Sequence, residues 1–155
     1  MRFKFLSIVI FLTLLFQQPA NSCSCIGEIS VKDEIKRSDI VFTGKVISVD
    51  TLLIFTEPGS MFKVYKRKYS FQLQSLYKGK ISSDTVEIIA GLGGGDCGFE
   101  FAAGSEYIVY ANYETYTIAG GTSLSCLSTN ICRRTCLKNI EELKQIEKQK
   151  KAKPK

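Results

Sequence analysis

Six cysteines, all of them beyond residue 22, constrain this 155-residue chain more than any other feature. The first two stand one residue apart, Cys23 and Cys25, in the stretch PANSCSCIG at 19–27. The others are Cys97, Cys126, Cys132 and Cys136. An even count in an exported chain reads as a disulfide framework. A zinc site is the alternative use of Cys-x-Cys or Cys-x-x-x-Cys spacing. The chain holds no histidine and no Cys-x-x-Cys pair, so disulfides are the favoured reading. Six cysteines allow 15 pairings, and spacing alone does not choose among them.

Export itself is read from residues 1–22. Arg2 and Lys4 form a basic start, and 5–16 is an apolar run of signal-peptide length, too short to span a bilayer. Ala20-Asn21-Ser22 offers small residues for cleavage before Cys23. No later segment reads as a transmembrane span. The expected organisation is a signal peptide at 1–22, one domain at 23–149 and a disordered basic tail at 150–155. Lipid attachment at Cys23, or retention in a periplasm, is the alternative to free secretion.

The net charge of +6 does not describe a basic surface. Two cations belong to the leader, and residues 137–155 hold seven Lys against three Glu. The body between, 23–136, is neutral, with 12 basic and 12 acidic residues. That distribution speaks against nucleic acid as a partner. The lysine tail reads as a solvated end with weak attraction for acidic polysaccharide or a membrane surface.

Hydrophobic pattern supplies the elements. A short helix is expected at 29–38. Strands are expected at 39–50, at 69–77, at 85–90 and at 106–113. In the second of these, Tyr69, Phe71, Leu73 and Tyr77 are expected on one side. A turn is expected at 56–60 and a flexible connection at 91–98. A last strand or hairpin lies within 114–127. Leu137, Ile140, Leu143 and Ile146 recur at helical spacing and predict an amphipathic helix. The whole predicts a mainly β fold, a small five-stranded Greek-key barrel of the oligonucleotide/oligosaccharide-binding type with one early and one late helix.

Enzymatic chemistry is disfavoured. Without histidine the Ser-His-Asp and Cys-His sets cannot be built. Asp33 and Glu34 are neighbours on a predicted helix, diverge, and read as solvated. Gly93 to Gly98 formally matches G-x-G-x-x-G, but a strand-like run follows where that fingerprint needs a helix. The stretch FKVYKRKY at 62–69 interleaves aromatics with cations and could stack bases. An edge strand protected by charge is the favoured reading. No cofactor is expected.

Taken in order, CSCIG after a cleavable leader, SDIVFTGKV, LYKG, CGFEFAAGSEYIVYA and LSTNICRRT resemble the tissue inhibitors of metalloproteinases. The likeness is to their short bacterial relatives within the netrin-like domain family, and it spans about 23–146. The resemblance implies the same five-stranded barrel. It implies bridges Cys23–Cys97 and Cys25–Cys132, which leaves Cys126–Cys136 as the third pair. It also implies an inhibitor of zinc metalloendopeptidases, with a zinc protease as the protein partner. The α-amine and carbonyl of Cys23 would chelate the partner's catalytic zinc in the position a water otherwise occupies. The amine must be unprotonated to do so, which a pKa of about 7.7–8.0 permits near neutral pH. Ser24 would enter the first specificity pocket and Ile26 would lie along the cleft. Gly93, Gly94, Gly95 and Asp96 would form a contact loop beside them. The animal inhibitors carry a second, disulfide-rich domain; here the residues after Cys136 read as a helix and a lysine tail. A netrin-like binding or adhesion module without inhibitory activity is the alternative.

Overall fold

The computed structural model describes residues 23–25, 27–54, 64–117 and 122–151. The leader at 1–22, Ile26, the turn expected at 56–60 and residues 152–155 lie outside the described residues. Among those described, no helix is long and apolar enough to cross a membrane.

Ser30 starts the first helix, α1 (Val31–Arg37), by accepting from the Asp33 amide at 3.1 Å. Asp33 completes the cap by accepting from the Ser30 hydroxyl at 2.7 Å. Two long strands follow, β1 (Ile40–Ile54) and β2 (Val64–Lys78), paired antiparallel. Next come β3 (Thr85–Ala90), a single 3-10 turn at Gly94–Asp96, and β4 (Glu106–Thr117). The chain closes with β5 (Ser123–Ser128), the two-residue β6 (Cys136–Leu137) and helix α2 (Ile140–Lys151). The protein is mainly β, with one mixed six-stranded sheet and two helices. The strand order is β1-β2-β3-β5-β4-β6, and a further pairing of β1 with β4 closes five of the strands into a ring. The sixth strand extends the expected five; it adds to the outer side of β4 through Tyr107–Leu137 and Ile108–Cys136. Only β3 and β5 run parallel.

Two cores follow from the two faces of this sheet. Phe42, Tyr69, Phe71, Ile88, Tyr107 and Val109 pack on the face turned away from the helices. Val41, Ile108 and Tyr110 pack on the other, against Val31 of α1 and Ile146 of α2. Strand β4 therefore buries both its sides, which is why its sequence EYIVYA carries no polar alternation. Phe101 caps the first core, with ring centroids 4.8 Å from Tyr69, 5.0 Å from Phe71 and 4.8 Å from Tyr107.

Bulges correct the expected alternation of β2. Thr43 pairs with Ser75 and Gly44 with Leu73, so Gln74 is an extra residue. One extra residue exchanges the faces of everything after it. Leu76 thus joins the core of Phe71, while Tyr77 packs with the helices instead of beside Tyr69. The amphipathic stripe of α2 is narrower than expected. Ile146 is buried and Leu143 packs against the second core, but Ile140 is exposed and Leu137 lies in β6. The helix starts only at Ile140, with Asn139 capping it by accepting from the Glu142 amide at 2.8 Å. It runs to Lys151, two residues into the segment expected as a tail.

Candidate functional site at the amino-terminal cystines

Two disulfides hold the start of the described chain. Cys23 is bonded to Cys97, with Cα atoms 5.5 Å apart, and Cys25 to Cys132, at 5.1 Å. The two anchor loops are themselves joined, because the Ile131 amide donates to the Cys97 carbonyl at 3.0 Å. Residues 23–25 therefore lie across a seam between two loops. Ser24 sits exposed at its centre, and Leu92 and Ile131 are exposed on the same two loops. Downstream, the Gly27 amide donates back to the Cys25 carbonyl at 3.1 Å, and Arg134 donates to the Ile29 carbonyl at 2.8 Å.

The loop at 91–98 is ordered around one carboxylate. Asp96 accepts from the amides of Leu92 at 2.9 Å, Gly93 at 3.0 Å and Gly98 at 3.1 Å. Lys66 approaches it at 3.4 Å. Partial burial alone would raise the Asp96 pKa, but the three amides and Lys66 outweigh it and hold the carboxyl below its ordinary value. The glycines are sterically required. A Cβ on Gly98 would lie 2.3 Å from the backbone of Gly91, and Gly93 has a φ of 94°. The expected flexible connection is thus a tight turn that ends in the bonded Cys97.

The second anchor is built on buried polar groups that the sequence does not announce. Thr129 and Thr135 are buried, bond each other at 2.9 Å and hold the backbone of Tyr110 on β4. The Asn130 side chain accepts from the Cys132 amide at 3.0 Å. Arg37 donates to the Cys132 carbonyl at 3.0 Å and to Glu34 at 2.5 Å. Glu34 also meets Arg133 at 3.4 Å. Its side chain is fully buried, which corrects its expected solvation; Asp33 beside it does face solvent. A second buried carboxylate, Glu142, accepts from the Tyr110 hydroxyl at 2.7 Å and from two nitrogens of Arg134. Burial raises the Glu142 pKa, but Arg134 and Tyr110 overcome it, so the carboxyl stays below its ordinary value. Burial first, and then Glu142, push the Tyr110 phenol upward.

Cys126 and Cys136 do not form the third bridge; both are free thiols. Their strands explain it. Cys126 is in register with Glu114 and Cys136 with Ile108, six residues apart along β4. At about 3.4 Å per residue that is about 20 Å, far beyond the roughly 7 Å that a disulfide spans. Burial, Glu114 and Glu87 push the Cys126 thiol up to about 11, and burial raises that of Cys136. Neither has the character of a reactive thiolate.

The basic stretch on β2 is neutralised in place. Lys66, Arg67 and Lys68 pair with Asp96, Glu100 and Glu87, the last two at 2.6 and 3.0 Å. From Arg67 to Gln72 the strand has neighbours on both sides, so it is no edge there. Among the described residues no cluster of three or more His, Cys, Asp or Glu could hold a metal ion. Of the residues expected at the site, Ser24 and both cystine ends of the segment come together with Gly93 to Asp96; Ile26 lies outside the described residues. No protein-family model matches the chain, and no curated protein matches it at a significant level.

Proposed function

We propose that this protein is a secreted inhibitor of zinc metalloendopeptidases that acts through the amino terminus created by cleavage after Ser22. The observation that carries the reading is the pinning of Cys23 and Cys25 to two joined loops, with Ser24 exposed between them. The α-amine and carbonyl oxygen of Cys23 would close a chelate on the protease zinc, displacing the catalytic water. Holding three residues in one conformation beforehand removes most of the ordering cost of binding. Ser24 would meet the first specificity pocket, and the turn at 93–96 would widen the contact. The two disulfides fit export. The ring of five strands supports the finer reading of a netrin-like Greek-key barrel of the oligonucleotide/oligosaccharide-binding type.

The test is inhibition of a panel of zinc proteases by protein that begins at Cys23. One alanine added before Cys23 moves the amine by a residue and blocks the chelate, so inhibition is lost. Undiminished inhibition by the extended protein would refute chelation.

A further inference from the structure

An apolar hollow lies between the two helices and the end of β2. It has a volume of about 290 Å³. Ile35, Tyr77 and Ile146 supply its apolar wall, all from the second core. Lys32, Lys36, Lys78 and Lys150 surround it, and no carboxylate lines it. Lys78 is fixed in place, since its Nζ donates to the carbonyls of Ile35 at 2.7 Å and Lys36 at 2.9 Å at the end of α1. Lys36 is paired with Asp33 at 3.3 Å on the exposed side of the helix. Lys32 and Lys150 are exposed and make no ion pair among the described residues. Four lysines thus line an apolar hollow, two of them exposed and in no ion pair among the described residues.

We propose that this cavity binds a short single-chain amphiphile with an anionic head, its tail against Ile35, Tyr77 and Ile146 and its head among the lysines. An apolar wall has nothing to offer a sulfated sugar, whereas a hydrocarbon tail gains from leaving water there. The volume corresponds to about ten water-sized groups at roughly 30 Å³ each. That suits a medium-chain tail better than a long one. Long lysine stems extend the apolar wall while their ammonium groups reach the head.

The experiment follows backbone amide signals of the folded chain during titration with decanoate below its micelle concentration. Saturable shifts confined to 32–36, 77–78 and 146–150 are expected. Octanoate, two methylenes shorter, should bind about 15-fold more weakly, since each methylene is worth about a fourfold change. Decanol should bind at least tenfold more weakly than decanoate. The surface double variant Lys32→Gln/Lys150→Gln should lose at least fivefold for decanoate with its unliganded spectrum unchanged elsewhere. Equal binding of decanol and decanoate, or no saturable shift at these residues, overturns the proposal. So does a heparin oligosaccharide that shifts the same amides when decanoate does not.

Discussion

Replacing Cys25 and Cys132 together by serine tests the structural premise of the site. The bond closes a separation of 107 residues. Standing alone, a loop of that size would contribute about 4.8 kcal/mol by restricting the unfolded chain. It does not stand alone, because Cys23–Cys97 already crosslinks the unfolded chain. The shortest path from Cys25 to Cys132 then runs back two residues to Cys23, across that bridge, and along 35 residues from Cys97. A loop of about 37 residues gives about 3.8 kcal/mol instead. The expected loss is therefore about 4 kcal/mol, or about 15 °C in Tm for a domain of this size. Guanidinium unfolding of the wild type and the double variant measures it from the midpoint and slope. Hydrogen exchange adds a local reading. The Ile131 amide, bonded to the Cys97 carbonyl, should stay protected while the Gly27 amide loses protection. A loss below about 1 kcal/mol would refute the reasoning, as would equal deprotection of both amides. Removing all four cysteines should cost about 8 kcal/mol, comparable with the whole stability of an ordinary domain, and should leave the chain unfolded.

Phe101→Ala removes the ring that caps the first core and should destabilise by about 3–5 kcal/mol in denaturant titration. Gly98→Ala forces a Cβ into the Gly91 backbone and should disrupt the turn around Asp96, seen as lost amide protection at Leu92 and Gly93. Glu142 has a folded pKa below its ordinary 4.5, so its contribution is present above that value and is lost as pH falls through the folded pKa. Stability should decline in acid below about pH 4.5, and Glu142→Gln should flatten that decline while lowering stability at pH 7. Alkylation of the unfolded, unreduced protein should count two thiols, Cys126 and Cys136, and neither should react readily in the folded state.

Local pattern carried most of the fold. β3 forms at the expected 85–90, β2 and β4 contain their expected segments with extensions at the ends, and β1 starts one residue inside its own and runs on to Ile54. Extended apolar runs and Ser30 as a cap act within a few residues, so they are visible in one dimension. The failures are non-local. The bulge at Gln74 lies where β1 pairs with both β2 and β4, and its one local mark is Gly44 across from it, whose meaning depends on the partner strand. Strand β6 is two residues long and is defined only by its partner on β4. Closure of the five strands is likewise a property of pairings between residues far apart in the chain.

The same distinction separates the two halves of the candidate site. Cys23, Ser24 and Cys25 stand out because their spacing follows an apolar run that reads as a leader, and the glycines at 93–95 stand out by composition. What fixes the loop that bears Cys132 is Glu34 with Arg37 and Arg133, and Glu142 with Arg134 and Tyr110. In the sequence these are ordinary surface residues. Glu34 reads as one more acid in a helix, yet it meets an arginine 99 residues away. A buried carboxylate is tolerated only when its charge is met, so losing one partner costs more than the pair contributes. Both carboxylates sit where a helix touches the loop that bears Cys132. They make the position of that loop depend on the two helices, and the position of Ser24 depend on the loop. The segment 23–25 thereby inherits the rigidity of the whole fold, which is what the proposed binding edge requires.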